Sequence, residues 1–95
     1  MSEDIGGENP RFAAVAAVSA LILDANPSRK RLVLVQTTGN VVSLAKRDPA
    51  VLNSGITLTA AGSTYIEPDS VGRIWKGPWY AIASAASNLA ISEDL

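Results

Sequence analysis

Short apolar runs, each ended by a turn, recur along the chain at intervals of about eight to twelve residues, the spacing of an all-β sandwich or barrel. The clearest run, residues 31–38, places Leu32 and Leu34 on one face of a strand. Val33 and Val35 then occupy the opposite face. Because both faces are apolar, we expect one to lie in the core and the other to be covered by a second subunit.

Six further segments show strand patterns, and alternation is strictest at residues 55–59, where Ile56 and Leu58 point inward. A tight turn at residues 38–40 predicts that the next segment pairs back on residues 31–38 as a hairpin. The six segments are residues 18–25, 41–45, 55–59, 63–67, 79–84 and 88–93. The chain is therefore predicted to be all-β, a small antiparallel β-sandwich or barrel of about six to eight short strands.

Residues 12–25 allow a second interpretation. Six of them are alanine, the strongest helix former, so a helix is possible here. No N-cap residue immediately precedes Phe12, however, and the segment has no clean polar face. We prefer a strand over residues 18–25.

The sharpest break in the sequence is the turn at residues 24–31. Asn26 can hydrogen-bond its own backbone, and Pro27 prevents a helix from running through. Three cations follow, Arg29, Lys30 and Arg31, and we expect them on the surface. They fit either a solvated turn or the rim of a protein interface, where arginine is enriched.

Composition limits the function. The chain has 95 residues, enough for one domain, and we predict a flexible N-terminal arm at residues 1–10 before a single β domain at 11–95. The acidic N-terminus does not resemble a signal peptide. The chain has no cysteine and no histidine, so the commonest nucleophiles, general base and metal ligands are missing. We expect no enzyme activity and no cofactor or metal. The net charge of −1 predicts no nucleic-acid or membrane partner.

Two clusters could carry a function. Glu67 and Asp69 could be a glycosidase pair, but Pro68 between them favours a turn at the end of a strand. Trp75, Trp79 and Tyr80 could stack on a sugar or anchor a protein interface. The alternative is that Tyr80 fills the core while the two tryptophans cap it.

A series of segments in a fixed order carries a resemblance to a known family. They are residues 25–29 (ANPSR), 32–37 (LVLVQT), 40–44 (NVVSL), 54–58 (SGITL), 62–65, 77–82 (GPWYAI) and 89–93 (LAISE). In this order the chain resembles small phage virion β-barrel or β-sandwich proteins, found as capsid decoration (cement) proteins and as bases of head fibres. The alanine-rich first segment departs from that pattern.

The resemblance implies a non-enzymatic protein, made in the host cytoplasm, that sits on the capsid surface of the virion. It implies a homo-oligomer, with a trimer favoured, bound to the major capsid protein or another virion protein. The apolar runs and the aromatic cluster give the interface residues that we predict: Arg29, Arg31, Leu32, Leu34, Trp75 and Trp79. The alternative function is a tail- or fibre-associated recognition module that binds a glycan or another virion protein.

Overall fold

The computed structural model describes residues 9–95, and this range forms eight β-strands and no helix. The strands are β1 (Asn9–Val15), β2 (Ala20–Leu23), β3 (Arg31–Gln36), β4 (Val42–Ala45), β5 (Ile56–Leu58), β6 (Thr64–Glu67), β7 (Trp79–Ala83) and β8 (Ser87–Asp94). They form two four-stranded antiparallel sheets, sheet A in the order β1-β8-β3-β6 and sheet B in the order β2-β7-β4-β5. This confirms the predicted all-β antiparallel fold.

The core lies between the two sheets and follows from strand alternation. In β3 every second side chain is buried, so Leu32, Leu34 and Gln36 point inward. Leu89 and Ile91 of β8 do the same, as predicted. From sheet B the core receives Val42, Leu44, Leu58, Trp79, Ala81 and Ala83.

The predicted hairpin between residues 31–38 and 41–45 is wrong. β3 pairs with β6 and β8 in sheet A, whereas β4 pairs with β5 and β7 in sheet B. The connecting turn instead crosses between the sheets, with the Thr37 amide bonded to Asn88 O and the Val41 amide to Ser84 Oγ. β3 and β4 therefore lie in opposite sheets, and each turns an apolar face toward the core between them.

The N-terminal prediction also needs correction. β1 begins at Asn9 and pairs with β8 throughout its length, so residues 9 and 10 belong to the sheet rather than to an arm. The rest of the predicted arm, residues 1–8, lies outside the described residues. The alanine-rich segment forms two strands, of which β1 was not predicted, because alanine on both faces hides the alternation that marks a strand.

Candidate functional site

The turn between β2 and β3 holds a buried arginine. Asn26 Oδ1 accepts a hydrogen bond from the Ser28 amide at 3.0 Å, which confirms the predicted turn. Arg29 is completely buried, and its Nε donates to Glu93 Oε2 at 2.7 Å. Its other nitrogens donate to the backbone carbonyls of Asp24, Trp75 and Gly77. Arg29 therefore ties the turn to β8 and to the loop between β6 and β7.

A second cluster at the same end of the sandwich centres on Glu67, the buried last residue of β6. Its Oε1 accepts from the Trp75 amide at 2.8 Å, and its Oε2 from the Tyr65 hydroxyl at 2.6 Å. Lys46 Nζ lies 3.3 Å from Oε2. Burial of Tyr65, together with its hydrogen bond to Glu67, raises the pKa of the phenol well above its ordinary value. The cluster joins both sheets to the β6–β7 loop.

Around this cluster lies an open groove of about 520 Å³, a size that small-molecule sites also have. Trp75 is half-buried in its wall, and Lys46 Nζ lies 5.7 Å from the centroid of the Trp75 ring. The Trp75 Nε1 donates to Pro78 O at 2.9 Å. At the rim, Arg73 Nε donates to Asp69 Oδ2 at 2.9 Å. The charged and aromatic groups of the groove thus bind one another.

These contacts leave no glycosidase pair. The Glu67 carboxylate has three donors, and Asp69 accepts from the backbone amides of Val71 and Arg73 as well as from the Arg73 side chain. The backbone hydrogen bond from Arg73 is the main reason that the pKa of Asp69 is lowered. Asp69 therefore lacks the raised pKa that a catalytic acid needs, and the Glu67 carboxylate is already occupied by its three donors.

The structure buries four of the six residues that we predicted at an interface. Leu32, Leu34 and Trp79 lie in the core, and Arg29 lies in its hydrogen-bond network. A side chain sealed inside the fold cannot contact a partner, so the prediction is corrected for these four. Arg31 is exposed, 3.9 Å from Asp94, and Trp75 is half-buried; for these two an interface stays a prediction.

The aromatic residues are arranged differently from the expectation. Trp79 is the largest fully buried side chain, and its ring meets the edge of Tyr65 at 5.6 Å between centroids. Tyr80, the next residue, points to the outer side of sheet B and is half-buried. The alternation along β7 was predicted, but the face that is buried was not. The packing of sheet B against sheet A decides it.

The outer face of sheet A is open and mainly apolar, although the register also places Ser92 and Thr64 on it. Cross-strand pairs place Phe12 beside Ala90 and Ala90 beside Val35, and the next row places Val33 beside Ile66. Phe12 is 71% exposed and Ile66 49%. We define the outer face of sheet A by six residues: Phe12, Ala14, Val33, Val35, Ile66 and Ala90. Contiguous apolar surface of this kind marks interaction sites.

The outer face of sheet B is partly covered by the protein's own loop at residues 46–54, while Leu21 of β2 stays 50% exposed. Ser43 alternates with two core residues of β4 and so points outward, yet it is fully buried. Its hydroxyl accepts from the Asn53 amide at 2.9 Å. Nearby, the Ala50 amide donates to Ser19 Oγ at 2.8 Å. Sheet A has no comparable cover within the described residues, so its apolar side chains stay exposed.

No helix capable of crossing a membrane occurs among residues 9–95. Nor does this part of the chain gather three or more carboxylate, thiol or imidazole side chains that could hold a metal ion.

Comparison with known proteins gives little further information. No family model and no curated protein matches the chain. A solved structure with some similarity comes from Bacillus endospore appendages, described as a novel family of disulfide-linked pili. It is 16% identical, the match covers 100% of this chain and 97% of that one, and the TM-score is 0.43. A similarity this distant does not indicate a shared function, and the present chain has no cysteine with which to form such links.

Proposed function

We propose that this chain is a non-enzymatic structural protein of a phage virion, a capsid decoration protein that binds the major capsid protein or another virion protein. The observation that supports a structural role is the open apolar outer face of sheet A. The virion is suggested by the resemblance of the ordered segments, and with it a place on the capsid surface after synthesis in the host cytoplasm.

The proposed mechanism is burial of apolar surface across joints of the shell. Expansion of the shell by heat or internal pressure then has to break these contacts as well. A single small module has little surface to bury, but its contacts repeat over a symmetric shell, and linked copies bind with a higher effective concentration. A small β-sandwich suits that role.

The outer face of sheet A is the proposed contact between copies, in a homo-oligomer for which a trimer is favoured. Val33 and Val35 lie on the exposed side of β3, whereas Leu32 and Leu34 are in the core. The face is nearly free of charge, since Arg31 and Asp94 at its margin neutralise each other. Two copies can therefore approach without like charges meeting.

Co-sedimentation with capsids that lack the protein, and separately with isolated tails, tests the virion role. Saturable binding to capsids at a fixed number of copies per shell is the expected result. Binding to tails alone, or to neither particle, would contradict a decoration function.

Sedimentation velocity over a range of concentrations tests the contact between copies. The substitution Phe12→Thr removes the most exposed aromatic of the face and keeps a strand-forming residue. The matched control is Val71→Thr in the β6–β7 loop, because Val71 is also 71% exposed. We expect wild type and V71T to associate and F12T to stay monomeric; a wild-type protein that is monomeric at every concentration would overturn this contact.

Glycan recognition is the alternative function, and the groove beside Trp75 is the observation that favours it. Titration with sugars, followed by tryptophan fluorescence, separates the two functions. A saturable change would support glycan binding. The signal would report on the groove, because Trp75 is the tryptophan that lines it and Trp79 is buried in the core.

A further inference from the structure

Charged residues are absent from four long stretches of the chain, residues 12–23, 32–45, 49–66 and 77–92. Each stretch runs along one strand, through a loop, and back along another strand. The four loops are residues 16–19, 37–41, 59–63 and 84–86. The sequence thus repeats one arrangement four times: the loop and the adjoining parts of its flanking strands carry no charge.

The fold gathers these four loops at one end of the sandwich. Asn40 Nδ2 donates to Ala86 O at 3.0 Å, which joins two of them. The Gly62 amide donates to Gln36 O at 2.7 Å, and the Ala83 amide to Ala16 O at 2.9 Å, which bring in the other two. We call the surface of these loops the uncharged end.

Most charged residues of the described range lie at the opposite end, where Arg29 meets Glu93 and Lys46 meets Glu67. The exception is Asp48, on the loop that crosses sheet B. Its carboxylate accepts a hydrogen bond from Ser19 Oγ at 3.2 Å and so lies at the edge of the uncharged end. The molecule is therefore polarised, with a charged end and an uncharged end.

This polarity indicates which end is buried in an assembly. The centre of a protein interface is depleted of charge, and a charged partner placed here would lose its hydration without gaining a counter-charge. Val18 projects from the uncharged end and is 72% exposed, among alanine, glycine, serine and threonine. The matching partner is an uncharged protein surface. The uncharged end is also continuous with the outer face of sheet A, through Ala14 and its pair Asn88.

The area of the uncharged end indicates whether its partner is a single second copy of this chain or a larger assembly. The two shorter extents of the molecule, 26 and 22 Å, bound its cross-section. An ellipse of those dimensions covers roughly 450 Å², about half of the ~800 Å² per partner in a standard stable interface. The contact is too small for a stable pair on its own, but it suffices where many copies bind one shell together.

We infer that the protein docks end-on, with its uncharged end against an uncharged surface of the shell protein and its charged end toward solvent. This inference rests on the proposed function and adds the surface that carries it. β1 begins and β8 ends at the charged end, so both of these strand ends lie away from the shell.

Glutamate substitutions at the two ends test the inference. Val18→Glu and Ala61→Glu place a charge on the uncharged end, and both positions are exposed, so the fold should be kept. Val71→Glu is the matched control, since Val71 lies at the charged end and is 71% exposed. Co-sedimentation with capsids lacking the protein should show affinity reduced about tenfold or more for V18E and A61E, because the new carboxylate is buried without a partner. V71E should bind within about twofold of wild type.

The other outcomes are distinguishable. If wild-type protein does not bind capsids, the proposed function itself fails. If wild type binds and V18E and A61E bind equally well, or if V71E weakens binding as much as they do, the end-on orientation is overturned while the function stands. If V18E and A61E instead abolish association of the protein with itself in the absence of capsids, the partner at this end is a second copy and the inference is also overturned.

Discussion

At the scale of single residues, the fold depends on polar groups that are buried and fully paired. Arg29 and Glu93 are both nearly inaccessible to water, and Arg11 Nη2 also donates to Glu93 at 2.9 Å. Taking such a pair out of water is expensive, so it adds little net stability, but loss of one partner leaves a charge uncompensated. These residues specify how the turn, the β6–β7 loop and β8 fit together.

The first prediction follows from the cost of removing one partner of a buried ion pair. The variant Arg29→Met should lose about 3 kcal/mol of unfolding free energy, because buried Glu93 is left with only the half-exposed Arg11 as a partner and three carbonyls lose a donor. Urea denaturation measures the loss. Arg31→Met is the control: its ion pair with Asp94 is 3.9 Å long and half-exposed, so it should cost less than about 1 kcal/mol. Equal losses in the two variants would contradict the role assigned to Arg29.

A second prediction concerns alkaline pH. Burial and Glu67 raise the pKa of Tyr65 above its ordinary value of 10.0, so the folded protein keeps a proton that the unfolded chain loses. This contribution to stability is therefore complete below pH 10 and decreases as the pH rises above it. The unfolding free energy of Tyr65→Phe should be lower at neutral pH but fall less steeply above pH 10. A Y65F slope equal to that of the wild-type protein would count against the buried phenol.

At the scale of elements, the β6–β7 loop is held by the packing of Trp75 on Gly77. A Cβ atom built on Gly77 would collide with the Trp75 ring, whose Nε1 is already bonded to Pro78 O. The ring cannot move away without breaking that hydrogen bond and its contact with Lys46. The close approach thus requires glycine at this position.

The third prediction tests this approach with two glycines. Gly77→Ala should lose about 1–3 kcal/mol of unfolding free energy by overpacking. Gly39→Ala is the matched control, because a Cβ there meets nothing within 4 Å, and its stability should stay within about 0.5 kcal/mol of wild type. Thermal or urea unfolding of both variants measures the difference, and a G77A protein as stable as G39A would show that the loop adjusts freely.

The strands themselves could be predicted to a large extent. β3, β5, β7 and β8 lie within a few residues of their predicted positions, since alternation and turn residues are local features. β1 was missed, because its alanines give no contrast between faces. The pairing of β4 was predicted wrongly, because the turn before it suits a hairpin as well as a crossing between sheets. Its actual neighbours, β5 and β7, both come later in the chain.

At the scale of the whole molecule, the two outer faces and the two ends differ. Part of sheet B is covered by the loop at residues 46–54, while sheet A presents Phe12 and Ile66. Most charged side chains of residues 9–95 lie at one end of the sandwich, and the four loops at the other end contain none. Together these two asymmetries give the module one apolar face and one uncharged end, adjacent to each other, and these surfaces are the basis of the two assembly contacts proposed here.

The sequence alone determined the all-β class, the position of most strands and the four stretches without charge, because each depends on neighbouring residues. The candidate site was predicted less well. Arg29 was expected on the surface and Trp79 as a cap on the core, but both are buried. Glu93 and Lys46 were not predicted as site residues. Alternation states which residues share a face of a strand; it does not state which face is covered. That depends on strands and loops distant in the chain, so only the tertiary structure decided where the apolar surface remains open.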